Sequence, residues 1–384
     1  MSWVNKYELL AIKAIKYNDQ LCLSIDNLWD ALHSIFNTAL YYQVNINILH
    51  EVANKPPSSW TSFSKEEFRS TIANYNNFST PGLDKLLWSH LKVILKDDVC
   101  LSIIINIANT CIDLGFWSSH FKRSMMVIIS KSNKTSYDFP KLFRLIVLLN
   151  TIGKLIEKVI GERLQFLTAS NDFIHLSQLG GLKFKSITNT GVALTYIIHL
   201  GWIRNLSTST LTFDIMQFFP LLNHCLLILI LKKVEFNNYI VSFFTNYLVG
   251  RKMNYLWNNF SSPTFDVNVG VGQGSVLSPI LSALYLSLFL YILEKCFKNL
   301  NIPVSIISFI DNGLFISQSK SFYISNSHFF CSYNVMTKLL EKFGLIIEHS
   351  KTEVFHFSRS HGIFNPPPLN LMSIEGTILQ WKNT

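Results

Sequence analysis

The chain has 384 residues, more than one ordinary hydrophobic core organises, so two or three subdomains are expected. Hydrophobic residues make up 49% and charged residues 15%, which excludes disorder and coiled coil, while the net charge of +9 admits a polyanionic partner. Six cysteines lie far apart with no Cys-x-x-Cys pair, which excludes a zinc ribbon and argues for a reducing compartment.

Residues 1 to about 60 read as loosely organised helices ending at Lys55-Pro56-Pro57-Ser58-Ser59. The first nineteen residues are mixed in charge and lack the apolar run of a signal peptide, so secretion is not expected. Ser64-Lys65-Glu66-Glu67 is a capping box that opens a helix running to about Asn74. A turn follows at Thr80-Pro81-Gly82-Leu83-Asp84, then helices over 85–97 and 98–114. From 120 to 158, Lys122, Arg123, Lys131, Lys134, Lys141, Arg144, Lys154 and Lys158 face only Asp138 and Glu157. These cations punctuate β-like runs at 125–129 and 145–149, and read either as a solvated face or as a sheet presenting basic groups to phosphates.

Leu211 to Phe219 reads as a strand delivering Asp214 near its end, where a carboxylate is costly unless paired or metal-bound. After Pro220 an apolar helix runs to about Lys233. The glycine-rich stretch 270–275 leads into Ser278-Pro279, an N-cap followed by proline at the first helical position, and that helix continues to about Phe297. Mean hydropathy is high, at +0.26, and the uncharged stretch 276–293 just reaches membrane-spanning length. Ser278, Pro279, Ser282 and Ser287, with no flanking positive cluster, suit a buried helix instead, and a membrane protein is kept as an alternative. A strand over 304–310, an Asn312-Gly313 hairpin turn and a return strand over 314–318 put Asp311 at a hairpin tip. A helix over about 333–343 precedes Gly344, residues 345–357 read as a strand pair containing Lys351, and Pro366-Pro367-Pro368 marks a tail.

Two acids on two strand ends, Asp214 and Asp311, are what a two-metal phosphoryl-transfer site requires, although spacing alone does not show that they meet. Seven ordered motifs add to them: FSTPGLDK at 78–85, PKLFRLIVLLNTIGKLIEK at 140–158, QLGGL at 178–182, FDIMQFFPLLNH at 213–224, GQGSVLSP at 272–279, FIDN at 309–312 and GLIIEHSKTE at 344–353. In this order and spacing the chain resembles the reverse transcriptases of non-LTR (LINE-type) retrotransposons, in fungal style.

That resemblance implies a role for each matching position. Asp214 and Asp311 would ligate two magnesium ions, and Lys351 would act as general acid toward pyrophosphate. Lys141 and Arg144 would clamp the triphosphate. Phe219 would exclude a 2′-hydroxyl by bulk, Gln273 would hydrogen-bond the nucleotide, and Gly274 would permit close backbone approach. Asn223 and His224 follow the family pattern, but a capped helix start explains them equally well. The implied partners are an RNA template, a DNA primer and deoxynucleoside triphosphates, with endonuclease function supplied elsewhere and no membrane. Nucleus or cytoplasm is the implied location.

Departures from the family pattern are specific. Asn312 stands where the family has a second aspartate, bringing an oxygen but no charge. Leu145 replaces a proline, and Ile187, Asn189 and Thr190 differ as well, in ways that single transitions in the nucleotide sequence explain. A partly decayed copy is therefore expected. The fold class implied is α+β: right-hand polymerase fingers and palm, an antiparallel palm sheet backed by helices, and a thumb largely missing. The expected division is 1–77 helical N-terminal extension, 78–204 fingers, 205–360 palm with a fingers insertion near 235–270, and 361–384 tail. The function implied is RNA-directed DNA polymerase, and the alternative is a non-catalytic RNA- or DNA-binding remnant.

Overall fold

The computed structural model describes residues 15–18, 20–22, 27, 30, 31, 44–51, 60–132, 137–234, 236–257 and 260–359. The break at residues 55–59, Lys134, and the 361–384 tail with its proline run lie outside the described residues, as does the side chain of Lys141. Packing divides the chain into two units, each discontinuous in sequence. The first draws on 1–41, 55–164 and 219–278, the second on 42–54, 165–218 and 279–384.

In the first unit, Ile15–Tyr17 and Gln20–Cys22 pair as a short antiparallel hairpin, where the sequence suggests helix. Asn18 makes its turn at φ +48°, a left-handed conformation that asparagine tolerates. The capping box at Ser64 forms as expected: the Ser64 hydroxyl accepts from Glu67 N–H, and the Glu67 carboxylate accepts from Ser64 N–H. It opens helix Lys65–Ala73, followed by Trp88–Ile94 and Asp98–Asp113. The basic β-like runs become strands Arg123–Ser130 and Phe143–Leu148. They belong to a five-stranded sheet in which Arg123–Ser130 lies antiparallel to Phe143–Leu148 and parallel to Arg251–Trp257. Phe260–Ser261 and Phe265–Val267 both pair antiparallel with Arg251–Trp257.

The second unit is built on a four-stranded sheet in the order Glu353–Phe357, Ser207–Asp214, Asn312–Ser319, Val304–Phe309, antiparallel throughout. Its second strand is rich in β-branched threonine and buried on both faces, so it is shaped for an interior position. Helices Ile187–Ile203 and Phe322–Lys342 pack on this sheet, and Phe297 of helix Ser278–Asn299 sets its ring edge-on to Phe315. The antiparallel sheet backed by helices is thus present. The polar groups inside it find partners: Ser209 with His356, Ser317 with His328, and Gln318 with the Ile197 carbonyl.

Helix Ser278–Asn299 is the one helix among the described residues long and apolar enough to cross a membrane, and 78% of its most apolar window is buried within the protein. Tyr285 and Phe289 are fully buried, and each such side chain contributes roughly 1.5–3 kcal/mol of apolar burial. Ser278 starts this helix, but its hydroxyl donates to the Gly272 carbonyl and so closes the preceding glycine loop. The single helix expected after Pro220 is two: Phe218–Leu221, then His224–Lys233, whose first turn is capped by the Asn223 side chain accepting from Leu226 N–H.

Candidate active site

Strand register brings the predicted acids of the second unit together. Asn312 lies directly opposite Asp214 on the neighbouring strand, and Ile215 N–H donates to the Asp311 carbonyl at 3.0 Å. Asp214 ends its strand, Asp311 sits in the hairpin turn, and both carboxylates lie at the same end of the sheet. Lys351, from the 3-10 turn His349–Lys351, hydrogen-bonds its ammonium to Asp214 Oδ2. Its segment is already fixed there by backbone, since Glu348 N–H donates to the Asp214 carbonyl at 2.8 Å. A buried carboxylate that needed a partner has one.

Burial, and then the Asp214 carboxylate beside it, pushes the Asp311 carboxyl above the ordinary aspartate range. Asn312 turns its amide N–H toward Asp311, donating to Oδ1 at 3.1 Å. The Asn312 amide thus meets the acid as a donor. Among the described residues, no cluster of three His, Cys, Asp or Glu side chains converges on one point.

The hairpin turn differs from the one expected. Phe309 pairs with Asn312, so the two central residues are Ile310 and Asp311, and the Asn312-Gly313 pair belongs to the return strand. Gly313 instead faces Phe213 across the ladder: a Cβ built on it would lie 2.0 Å from the ring. Bare backbone there leaves room for the tip of the Phe213 ring, and that contact, not the turn, explains this glycine. Ile310 carries the turn at φ +55°, which a β-branched residue rarely adopts.

In the first unit, Phe219, Gln273 and Gly274 meet at one glycine loop that packs on the strand carrying Arg144. Val147, three positions after Arg144, donates its N–H to the Gln273 carbonyl at 2.6 Å. Gly274 has φ +119°, and a Cβ there would lie 2.4 Å from the Val147 carbonyl oxygen, so the close backbone approach is made to this strand. Val271 N–H donates to the Phe219 carbonyl at 2.8 Å, and Phe219 itself is half-buried. Arg144 is exposed and makes no ion pair among the described residues.

Glu157, which supports this loop, and Asp84, which holds the start of the helix carrying Glu157, have no role in the sequence reading. Glu157, fully buried, accepts from Tyr247 Oη, Ser275 Oγ and Val276 N–H at 2.9, 2.8 and 3.2 Å. Burial drives its carboxyl upward against those three donors. Asp84, of the FSTPGLDK motif, accepts from Thr151 N–H at 2.6 Å and so holds the start of helix Thr151–Ser170. In the sequence Glu157 stands only as one of two acids among the cations of 120–158.

Residues 129–375 match the family described as reverse transcriptase (RNA-dependent DNA polymerase), well over half of the chain. The chain belongs to the reverse transcriptase family. It is 27% identical over 225 residues to the RNA-directed DNA polymerase from mobile element jockey of Drosophila melanogaster, covering 58% of this chain and 24% of that protein. To the probable RNA-directed DNA polymerase from transposon X-element of the same fly it is 25% identical over 228 residues, 59% of this chain and 24% of that one. The chain thus spans about a quarter of the length of these curated reverse transcriptase relatives. Apo telomerase from Candida tropicalis, truncated from its C-terminal domain, aligns with a TM-score of 0.45 and 15% identity over 64% of this chain and 52% of that one.

Proposed function

We propose that the chain is the polymerase core of a retrotransposon RNA-directed DNA polymerase, joining deoxynucleotides to a primer 3′-hydroxyl along an RNA template. The four-stranded sheet is its palm, and the five-stranded sheet with its neighbouring helices is its fingers. One observation carries the reading: register and turn bring Asp214 and Asp311 to one sheet end, with Lys351 bonded to Asp214.

Two carboxylates on adjacent strands suit magnesium, which takes hard oxygen ligands and is commonly held by one or two carboxylates, with water and substrate phosphates completing the shell. Asp214 and Asp311 would hold it. Bound there, the ion supplies a lowered pKa for the primer hydroxyl and positive charge for the reacting phosphate. With an amide at 312, this donor set suits one ion better than the two the family implies. Lys351 neutralises Asp214 until nucleotide arrives, and its ammonium, on a side chain that is 59% exposed, is then free to protonate departing pyrophosphate. Arg144 and Lys141 receive the triphosphate, a guanidinium fork matching phosphate oxygens. Phe219 limits the sugar and Gln273 contacts the nucleotide, both held by the glycine loop.

Primer extension on an RNA template with magnesium, comparing the chain with Asn312→Asp, tests this. Extension by the variant at 100-fold or more above the chain supports a polymerase disabled at one ligand. Template binding with no extension by either protein would replace this reading with the non-catalytic remnant, which the Asn312 donor contact also favours.

A further inference from the structure

The QLGGL segment at 178–182 has so far no task, and the structure puts it against the Asp311 turn. Gln178 is fully buried, with 0% of its surface exposed. Its Oε1 accepts from Ile310 N–H at 3.0 Å and from Gly180 N–H at 2.8 Å, while its Nε2 donates to Ser308 Oγ at 3.3 Å. Backbone bonds clamp the same place: Ser308 N–H donates to the Ser177 carbonyl and Leu179 N–H to the Ser308 carbonyl, each at 2.8 Å. Gly180 closes the approach, since a Cβ there would lie 2.4 Å from Ile310 N and 2.8 Å from the Phe309 carbonyl carbon.

Ile310 needs such a brace. A β-branched residue at φ +55° is strained, and such a conformation persists only where its surroundings over-determine it. The turn's own sequence offers no help: neither Ile310 nor Asp311 is glycine, and the Asn-Gly pair that would adopt the turn freely lies beyond it. Among the described residues, the side chain that accepts from the Ile310 amide comes from 132 residues earlier in the chain.

We infer that Gln178 is a positioning residue that holds the Ile310–Asp311 turn in its strained form, and thereby sets the Asp311 carboxylate at the sheet end shared with Asp214. The strain is local to Ile310 and the compensation is the Gln178 carboxamide. The two therefore form a pair: a residue that adopts positive φ without cost at 310 removes most of the need for Gln178. A merely structural role in filling the core would show no such dependence.

The inference rests on the metal-site reading of Asp214 and Asp311 for its consequence, but not for its primary readout. The test is a double-mutant cycle of Gln178→Ala with Ile310→Gly in the full chain, read first by hydrogen exchange across 309–313 and then by manganese affinity from electron paramagnetic resonance. Gln178→Ala should raise exchange of the turn amides about tenfold or more and weaken manganese binding by a similar factor. In the Ile310→Gly background the same substitution should change both by less than about threefold. Ser308→Ala removes the Gln178 Nε2 contact together with the Ser308 Oγ bond to the Ile310 carbonyl at 3.4 Å, leaves the Gln178 Oε1 bond to Ile310 N–H in place, and should move exchange in the same direction by about twofold, which keeps the experiment readable if Gln178→Ala does not fold. An equal cost of Gln178→Ala in both backgrounds, or no effect of Ser308→Ala where Gln178→Ala fails to fold, overturns the inference. If no variant binds manganese, the chain included, the metal reading fails, while the exchange cycle still decides whether Gln178 holds the turn.

Discussion

Two charged places, one on each sheet, are treated in opposite ways. In the four-stranded sheet, Asp214, Asp311, Asn312 and Lys351 meet at one end and bind one another. In the five-stranded sheet, Arg144 projects into solvent without an ion-pair partner among the described residues. The contrast follows from the chemistry each would serve. Carboxylates that share a cation must be held close, so they repel, and the repulsion has to be compensated by fixed structure until the cation is present. A cation that receives a triphosphate works best uncommitted, since a fixed carboxylate neighbour would compete with the phosphate for it. Asp214 and Asp311 concentrate electrostatic cost, and Arg144 is held in reserve, while other charges of its sheet are spent internally, in the Lys252–Asp266 pair and the buried Arg251 guanidinium.

That contrast sets the ranking of effects. In the Asn312→Asp background, Asp214→Asn or Asp311→Asn should reduce single-turnover primer extension by 10³-fold or more, because each removes a preorganised charge from the reacting centre. A loss below tenfold for either acid would remove that acid from the proposed site. Gly274→Ala should destabilise the first unit by about 2–3 kcal/mol, from positive φ together with a Cβ 2.4 Å from the Val147 carbonyl. Denaturant unfolding measures it, and unchanged stability would mean that the loop can move away from the strand. Arg144→Ala should raise the KM for deoxynucleotide about tenfold with little change in kcat, as loss of a binding charge does. A fall in kcat at constant KM would instead place Arg144 in the transition state and erase the distinction between the sheets.

Much of this was legible in the sequence, and the failures have physical causes. Local signals read well wherever a short segment fixes its own structure: the capping box at Ser64, the strands that carry Asp214 and Asp311, and the buried character of the helix from Ser278. Local reading failed where a distant side chain decides. Asn312-Gly313 is a strong turn signal, yet Phe213 lies across Gly313 and the turn forms two residues earlier, on Ile310 and Asp311. The turn is held by Gln178, which no window around residue 310 contains. Glu157 reads as one more surface charge beside Lys158, but it is the buried anchor of the Ser275 loop. Family motifs located these residues without explaining them.

The smallest expected effect compares the two units directly, because each carries a histidine that burial pushes down to about 4. His224, in the first, is pushed down to about 4 by burial and by the Arg251 guanidinium, whose Nη2 lies 3.0 Å from its Nε2. His356, in the second, is lowered to about 4 by burial, with its Nδ1 bonded to Ser209 Oγ at 2.7 Å. An unfolded histidine takes up its proton near the ordinary value of 6.5, and these folded ones only near about 4. Between those values the unfolded chain binds more protons, so stability falls as pH is lowered through the window from 6.5 to about 4. Each histidine should contribute on the order of 1–2 kcal/mol to that loss. Urea unfolding at pH 7 and pH 5, with probes in each unit, reads the slope, and His224→Gln should flatten it in the first unit while His356→Gln flattens it in the second. Flattening of both slopes by either single variant would show that the two sheets unfold as one cooperative body, and the contrast in how they hold charge would then not extend to their stability.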